Sequence, residues 1–518
     1  MQPIYTLDIE TDPFAHGVIP KPFAIGFYDG ETFTHFWGAG CIQKMRDHVE
    51  SLPAGIIYLH NGGKFDLYYL LDWLTGDTKI INGRIVLSHM RAVKGLHELR
   101  DSYAIMPFKL KQYKKDDIDY NLLKRECRDA NRDEIVSYLK GDCVYLHELC
   151  LIFLENFGLR LTIGSAAMNE LKEYHSFERL LPEQDADIRS NFYFGGRVQC
   201  FKKGIINKPL KIYDVNSMYP FAMRNYMHPV SMPYGESKKI CSDTCFVVCE
   251  GRNYGAFPIR EKLGIRFDVE DGVFAVSIHE WKAAVNLGLF EPRKIIRCLN
   301  FRDRSTFKNF VDAFYDERKK ATDSGDTTRA KLLKYVLNSS YGKFGQNPTN
   351  FFDYKITSHR EELISHGWEC DEILWDFDII VWRKKSKNQL LHNIATAASV
   401  TGAARAILME AIANSTNPVY CDTDSLICEE LNGVEKDASK LGAWKLEGEG
   451  NRAAIGGKKL YAIFDGENCI KLASKGVRLE PSQIVDICNG AVIEYVKESP
   501  SYKLSGAHTF IKRKVRMR

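Results

Sequence analysis

Short apolar runs alternate with helical patterns along the first 155 residues. The runs IYTLDIE, FAIGFYD and GIIYLHN have the period-two spacing of strands, whereas KFDLYYLLDWL and residues 132–157 have the spacing of helices. This alternation predicts an α/β domain. A second region opens near residue 190 with FYFGGRV and the strand KIYDV, and residues 241–300 are rich in strand patterns that end in the helix SIHEWKAAVNLGL.

A helical hairpin is predicted next. Two strong helical patterns, residues 305–321 and 327–341, are separated by the turn-rich DSGD, and Asp326 is placed to cap the second helix. Residues 348–386 combine β-like alternation with the partly helical TSHREELISHGWECDE. A helix over residues 393–413 leads into PVYCDTDSLIC, the strand KKLYAIF and a small mixed C-terminal unit with a basic tail.

Composition narrows the class of protein. A chain of 518 residues with 45% hydrophobic and 27% charged residues predicts about two to four globular domains. The net charge of +4 decides little, but residues 318–343 and the tail IKRKVRMR cluster basic side chains that suit a polyanion as well as a solvated face. No secretory signal or apolar stretch of roughly 20 residues is present, which predicts a cytoplasmic protein without a membrane contact.

The 14 cysteines form no CxxC pair. Cys241, Cys245 and Cys249 recur every four residues, but no histidine lies among them and the segment has a strand pattern. Buried free thiols are therefore favoured over a structural zinc site.

Three aspartates stand where strands end. PVYCDTDSLIC predicts a tight β-hairpin with Asp422 and Asp424 at its tip, and Asp214 follows the apolar strand of KIYDV. Each aspartate alone is more simply a turn former or a cap. Together, Asp214 and Asp424 could hold two Mg²⁺ ions about 4 Å apart, the arrangement that serves phosphoryl transfer.

The second helix of the hairpin carries a polar stripe. Residues at spacings of three, four and three lie along one face of a helix, and in KYVLNSSYG and the residues before it these are Lys331, Lys334, Asn338 and Tyr341. Two lysines, an amide and an aromatic ring suit a nucleoside triphosphate. A solvated face is the alternative interpretation.

The first domain has a second set of carboxylates. Asp8 and Glu10 share one face of the strand LDIET, and Asp66 follows HNGGKF at the start of a helix. Tyr138 and Asp142 lie four residues apart on another helix. Although strand aspartates are common, four carboxylates and a tyrosine that converge could hold two metal ions and orient a water molecule for phosphodiester hydrolysis.

These motifs resemble those of family B DNA polymerases. DVNSMYP, KYVLNSSYG and YCDTDS are similar in sequence and order to motifs A, B and C of that family, and KKLYAIF and FYFGGRV resemble its lysine–x–tyrosine and tyrosine–x–glycine–glycine motifs. The resemblance implies that Asp214 and Asp424 bind metal with support from Asp422, and that Lys334 holds the nucleotide phosphates. It implies a nucleotide pocket lined by Asn338 and Tyr341, with Tyr219 beneath the sugar. The DNA contacts it implies are Lys459 and Tyr461 for the primer, and Tyr193, Gly195, Gly196 and Arg197 for the template.

The first domain resembles the proofreading 3′–5′ exonucleases with four acidic residues and a tyrosine. This similarity implies that Asp8, Glu10, Asp66 and Asp142 are metal ligands and that Tyr138 orients the attacking water. It also implies an assisting lysine, Lys115 in YKKDDIDY, with strand contacts at Thr11, Asn61 and Phe65 and a weaker counterpart at Ser102.

HNGGKF, DIDY and NSSYGKF are most similar to the protein-primed subgroup of phages and linear plasmids. The implied fold is α/β and α+β multidomain, with an N-terminal ribonuclease H-like exonuclease and a right-hand polymerase of palm, fingers and thumb. The predicted boundaries are exonuclease 1–160, palm 161–230 and 387–465, a terminal-protein-binding insertion 231–304, fingers 305–347, a strand-displacement insertion 348–386 and thumb 466–518. The implied cofactors and partners are two Mg²⁺ or Mn²⁺ ions per active site, dNTPs, primer and template DNA and a terminal protein, bound by a monomer.

Two other hypotheses stay open from the sequence. The chain could be a family B polymerase that starts from RNA or makes its own primer. It could also be a non-catalytic nucleic-acid-binding accessory, although such decay would normally remove carboxylates and all seven are present.

Overall fold

The computed structural model describes residues 2–114, 117–262, 264–347, 350–357, 361–374, 379–386, 392–502 and 508–517. Its α-helices within these ranges are α1 (Cys41–Glu50), α2 (Arg132–Phe157), α3 (Ile163–Tyr174), α4 (Pro182–Asn191), α5 (Met218–Asn225), α6 (Ile278–Asn286), α7 (Lys308–Asp323), α8 (Thr327–Phe344), α9 (Glu361–Ser365), α10 (Ile394–Ala413) and α11 (Pro481–Cys488). None of these described helices combines the length and apolarity that a membrane crossing requires.

The N-terminal domain is built on a ten-stranded mixed sheet. The seven strands that come first in the chain include a short parallel core, in which Ile56–Leu59 lies between Ile4–Thr11 and Leu96–Asp101. Helices α1 and α2 pack against this part of the sheet. The spatial order is Glu369–Leu374, Ile379–Lys385, Phe352–Thr357, Thr75–Ile81, Arg84–Arg91, Leu96–Asp101, Ile56–Leu59, Ile4–Thr11, Pro22–Tyr28 and Phe33–Trp37. The predicted α/β pattern of this region is confirmed.

Two features of this domain differ from the prediction. KFDLYYLLDWL forms short 3-10 turns, Gly62–Lys64, Asp66–Tyr69 and Leu71–Trp73, because Phe65 (φ −145°, ψ −76°) and Leu70 (φ −117°, ψ 6°) depart from helical geometry between them. The strands of residues 352–385 join the N-terminal sheet, since Tyr354 pairs with Thr78 and Lys355 with Asp77. The described strands of this insertion therefore belong to the same sheet.

A five-stranded antiparallel sheet forms the centre of the molecule. Its order is Trp444–Gly450, Leu210–Val215, Ser425–Cys428, Tyr420–Asp422 and Val198–Cys200. Helices α5, α8 and α10 cover this sheet in one large hydrophobic core. Helix α10 is buried along almost its whole length, which its many alanines allow because small side chains let neighbouring helices approach closely.

The predicted helical hairpin is confirmed as α7 and α8, and the side chain of Asp326 accepts a hydrogen bond from the Arg329 amide at the start of α8. The predicted helix of SIHEWKAAVNLGL is confirmed as α6, but the region continues beyond it in the long strand Phe290–Phe301. That strand joins Pro233–Ser237, Phe246–Asn253 and Asp271–Ser277 in a four-stranded sheet, with the small hairpin Ile259–Glu261 and Gly264–Arg266 beside it.

The C-terminal part contains a second four-stranded sheet, Asn468–Ser474, Leu460–Asp465, Arg452–Gly457 and Gly204–Ile206, covered by α11. Lys459 of the predicted strand KKLYAIF lies in the preceding turn with a positive φ of 57°. The remaining two-stranded pairs are His228–Pro229 with Arg304–Ser305, Ser415–Thr416 with Glu430–Leu431, Ile493–Val496 with Lys512–Val515 and Ser501–Tyr502 with His508–Thr509.

Candidate active sites

A cavity of about 1600 Å³ opens between the central sheet and the helical hairpin. We call it the central cavity. Its polar lining residues come from the sheet, from α5 and from both helices of the hairpin, and they include Asp214, Asp424, Tyr219, Lys334, Asn338 and Tyr341. Arg318 and Lys319 of α7 add two cationic side chains to its wall.

Strand pairing brings two of the predicted aspartates together. Asp214 is paired with Ser425, and the Val215 amide donates a 2.8 Å hydrogen bond to the carbonyl of Asp424. Asp424 stands at the end of a tight turn, in which Thr423 adopts a left-handed conformation with φ 61°. We call residues 422–425 the aspartate turn.

The electrostatics of this pair favour a bound cation. Burial and then the neighbouring Asp424 and Glu447 raise the pKa of Asp214 to about 7, and burial raises the pKa of Asp424. Two carboxylates that repel each other in a partly desolvated site are stabilised by a divalent cation. The donor set consists of oxygen atoms, which Mg²⁺ and Mn²⁺ prefer.

Asp422 is paired with a lysine beside the turn. Both of its carboxylate oxygens accept hydrogen bonds from Lys459 Nζ, at 2.6 and 2.8 Å, and its side chain does not line the central cavity. This geometry fits a supporting role for Asp422 better than a place among the metal ligands, because the lysine already neutralises the carboxylate. The backbone amide of Lys459 also bonds to the hydroxyl of Tyr420, whose ring packs on Tyr461 at 4.7 Å.

The four residues of the polar stripe on α8 do not all face the central cavity. Lys334, Asn338 and Tyr341 line the central cavity. Lys331 does not, since its ammonium lies 4.7 Å from the ring centre of Phe108 in the N-terminal domain. The ring of Tyr341 stacks on Tyr219 at 3.8 Å, so that the two tyrosines form one aromatic wall.

The FYFGGRV segment is less exposed than a DNA-contacting loop is expected to be. Gly195 is exposed and Tyr193 is half-buried, but Arg197 has only 5% of its surface exposed. The predicted template contact of Arg197 is therefore not supported, because its guanidinium packs inside the protein over Phe267.

Sequence reasoning missed the residue that holds this segment. Arg405 of α10 donates hydrogen bonds to the carbonyls of Phe194 (2.6 Å) and Gly195 (2.8 Å). It also forms a fully buried ion pair with Glu280 of α6. The sequence does contain a signal for a buried arginine, since Arg405 is the only charged residue between positions 394 and 409.

The predicted carboxylates of the first domain also converge. Asp8, Glu10 and Asp142 bring one oxygen each to within 4.8 Å of one another. Asp66 is buried beside them, and burial followed by the charge of Asp8 raises its pKa well above the ordinary value. Burial, then Asp142, raises the pKa of Tyr138, so its phenol stays protonated next to these acids. These five residues form what we call the acidic cluster, whose oxygen ligands fit divalent cations.

Aromatic and amide groups surround the acidic cluster. Phe65 contacts Tyr502 of the C-terminal part at 5.7 Å between ring centres, and Asn61 is exposed, with its side-chain oxygen bonded to Arg84. Thr11 is mostly buried. Ser102 is fully buried and bonded to His60 and to the Leu59 carbonyl, so a direct strand contact at Ser102 does not fit. Lys115 lies outside the described residues.

In the part of the chain that the structure describes, the acidic cluster supplies the only group of three or more ligands with metal-binding spacing. Cys245 and Cys249 are buried thiols and Cys241 is exposed.

Comparison with known proteins decides the family. The model of DNA polymerase type B, organellar and viral, matches residues 112–435. The chain belongs to this family. The DNA-directed DNA polymerase of Enterobacteria phage PRD1 is 43% identical over 99% of this polymerase and 98% of its own length. The DNA polymerase of Bacillus phage PZA is 25% identical over 88% of this polymerase and 86% of its own length.

Solved structures of phi29 DNA polymerase share the fold of this polymerase. The orthorhombic crystal form matches with a TM-score of 0.76 and 18% identity, and the ternary complex with primer–template DNA and incoming nucleotides with 0.74 and 20%; both cover the whole of each chain. The fold class and the family predicted from the sequence are confirmed. This protein is a DNA-directed DNA polymerase of the viral, protein-primed type.

Proposed function

We propose that this polymerase extends a DNA primer in the central cavity, with Asp214 and Asp424 as the ligands of two Mg²⁺ or Mn²⁺ ions. The observation that carries the proposal is the juxtaposition of two half-buried carboxylates, because Asp214 lies on a strand paired with Ser425 and Asp424 stands in the turn just before that serine. When bound, the cations would activate the primer hydroxyl and stabilise the leaving pyrophosphate.

The remaining residues of the central cavity would select and hold the nucleotide. Lys334 supplies a positive charge for the triphosphate, and Asn338 supplies an amide on the same helical face. The stacked Tyr219 and Tyr341 present a flat aromatic surface to the sugar and base. The edge of Tyr219 would exclude a 2′-hydroxyl by its bulk.

The test of this site is the substitution Asp424→Asn, which keeps the size of the side chain and removes its charge. Primer extension should fall by about a thousandfold, in line with the loss of a metal ligand in metal-assisted phosphoryl transfer. Degradation of a single-stranded primer by the same variant should persist and serves as the folding control. Undiminished extension would refute the assignment.

We propose, in addition, that the acidic cluster removes mispaired nucleotides from the primer end. Its four carboxylates would hold two cations, and the protonated Tyr138 hydroxyl can donate a hydrogen bond that orients the attacking water. The double variant Asp8→Ala/Glu10→Ala should lose trimming of a mismatched end and keep extension of a paired one. Continued trimming would exclude this cluster as the editing site.

The partners are proposed from the family and from the chain's charge. The phi29 polymerase is described in complexes with primer–template DNA, with single-stranded DNA and with incoming nucleotides, which supports the same classes of ligand here. Phosphate contacts by lysines and arginines would make DNA affinity fall steeply with salt. The phage relatives support a place of action in the cytoplasm of a bacterial host.

Initiation from a terminal protein is proposed for residues 231–304, and support of strand displacement for residues 348–386. The proposed division otherwise follows the sequence, with exonuclease 1–160, palm 161–230 and 387–465, fingers 305–347 and thumb 466–518. Nucleotide transfer to a candidate terminal protein, compared with extension of RNA primers and of unprimed template, separates protein priming from RNA priming and from self-priming.

A further inference from the structure

The FYFGGRV segment supports the aspartate turn from outside the central cavity. Val198 pairs with Asp422 across adjacent strands, and the amide of Thr423 donates a 2.7 Å hydrogen bond to the carbonyl of Arg197. Gly196 lies directly against Thr423, because a Cβ at this glycine would be 2.7 Å from Thr423 Cγ2 and 2.9 Å from Thr423 Cβ. The left-handed conformation of Thr423 is thus held by packing and by a hydrogen bond.

Arg197 is anchored by its side chain in a second part of the molecule. Its guanidinium lies 4.3 Å from the ring centre of Phe267, which belongs to the region between α5 and α7. Its Nε and Nη2 atoms donate to Gln199 Oε1 at 3.0 and 2.7 Å.

Burial of the Arg197 guanidinium destabilises the fold. Among the described residues, no carboxylate forms an ion pair with Arg197, and burial lowers the pKa of its guanidinium. A buried charge without a counter-ion destabilises a fold, and the cation–π contact offsets part of that penalty.

We propose that Arg197 is a positioning residue that couples the region around Phe267 to the aspartate turn, and through the turn to Asp424. The chain of contact runs from the ring of Phe267 to the guanidinium of Arg197, and from the Arg197 carbonyl to the Thr423 amide. Movement of the 231–304 insertion would therefore change the alignment of the polymerisation site. This inference rests on the proposed role of Asp424.

The test compares Arg197→Met, Phe267→Leu and the double variant with the parent enzyme. Each single variant should lower kcat for extension by about tenfold to a hundredfold, the scale of a misplacement near 1 Å, and should raise the Mg²⁺ concentration at half-maximal rate. The KM for dNTP should stay within a factor of about two, since the nucleotide-binding face of α8 is untouched. The double variant should be no worse than the more impaired single variant, because both remove the same contact.

Two measurements distinguish positioning from a DNA contact. For a positioning residue, the Kd for primer–template DNA and its salt dependence remain those of the parent. A loss of affinity with a salt slope smaller by about 1 and an unchanged kcat at saturating DNA would instead identify a phosphate contact and overturn the proposal. A matched control is Arg252→Met, which removes an arginine stacked over Tyr254 of the same insertion and should leave kcat unchanged.

A second pair of variants tests the turn itself. Gly196→Ala should lower kcat because the added methyl group pushes on Thr423, and Gly196→Ala/Thr423→Gly should recover activity because glycine removes the clash and favours a positive φ. A failure of this rescue, with thermal unfolding like the parent's, would contradict the mechanism. An active Asp424→Asn enzyme would refute the proposed function itself, whereas parental activity of Arg197→Met would refute only this inference.

Discussion

Two buried histidines should make the stability of the polymerase region depend on pH. His228 is fully buried between α5 and α10, where its Nε2 bonds to the Ala222 carbonyl and its Nδ1 to the Ser399 hydroxyl. His279 of α6 bonds through Nε2 to the Met227 carbonyl and to the same Ser399 hydroxyl. The ring centres of the two histidines are 5.7 Å apart. Burial, then the neighbouring His279, lowers the pKa of His228 to about 3, and burial lowers that of His279 to about 4.

The sign of the effect follows from proton linkage. An unfolded histidine has a pKa of 6.5, above both folded values, so the unfolded state binds more protons as the pH falls. The stabilisation is fully present above about pH 6.5 and is lost below it, at about 1.4 kcal/mol per pH unit for each histidine. Between pH 7.5 and 5.0 the two together should contribute a loss of about 4 kcal/mol, a large part of the stability of an ordinary domain.

The assay is hydrogen–deuterium exchange of the peptides that cover α5 and α10, with rates corrected for the intrinsic effect of pH. His228→Gln/His279→Gln keeps an amide at each Nε2 position and removes both titrating groups. The difference in opening free energy between pH 7.5 and 5.0 should shrink by about 4 kcal/mol in this variant. The exposed His16 provides the control substitution, His16→Gln. An equal pH dependence in the double variant and the parent would refute the argument.

Three further outcomes are expected. Tyr219→Val should reduce discrimination against ribonucleotides by at least about tenfold (1.4 kcal/mol), measured as the ratio of kcat/KM for dNTP and rNTP, and unchanged selectivity would remove its steric role. Lys459→Met leaves the carboxylate of Asp422 without its counter-ion and should slow extension and lower the thermal midpoint, whereas Lys459→Arg should retain most of both; equal effects would exclude an ionic role. Lys79→Ala removes the ion pair with Asp353 across the two parts of the large sheet, so extension through a downstream duplex should slow while extension on open template does not; equal slowing on both would contradict this.

Local patterns predicted the elements whose partners are close in the chain. The hairpin of α7 and α8 is recognisable because its periodicity, its turn and its capping Asp326 are all local signals. The aspartate turn is recognisable because its two strands are separated by only two residues. The union of residues 352–385 with the N-terminal sheet has no such signal, since it pairs Tyr354 with Thr78, far apart in sequence.

A sequence motif did not predict the surroundings of two charged residues, Asp422 and Arg197. A motif gives the type and spacing of a residue, but the burial of that residue depends on what the rest of the chain places beside it. Asp422 has the spacing of a metal ligand, yet Lys459 from another sheet neutralises it. Arg197 has the setting of a DNA contact, yet Phe267 from the insertion covers it.

Arg405 and Arg197 act on the same segment from two sides. One arginine holds the carbonyls of Phe194 and Gly195 from α10, and the other extends from the same segment toward the insertion. The buried backbone carbonyls of this segment need hydrogen-bond donors, and Arg405 supplies them at Phe194 and Gly195. The arrangement makes residues 194–197 a junction between the insertion, α10 and the aspartate turn, which a linear motif could not reveal because its three neighbours come from three separate parts of the chain.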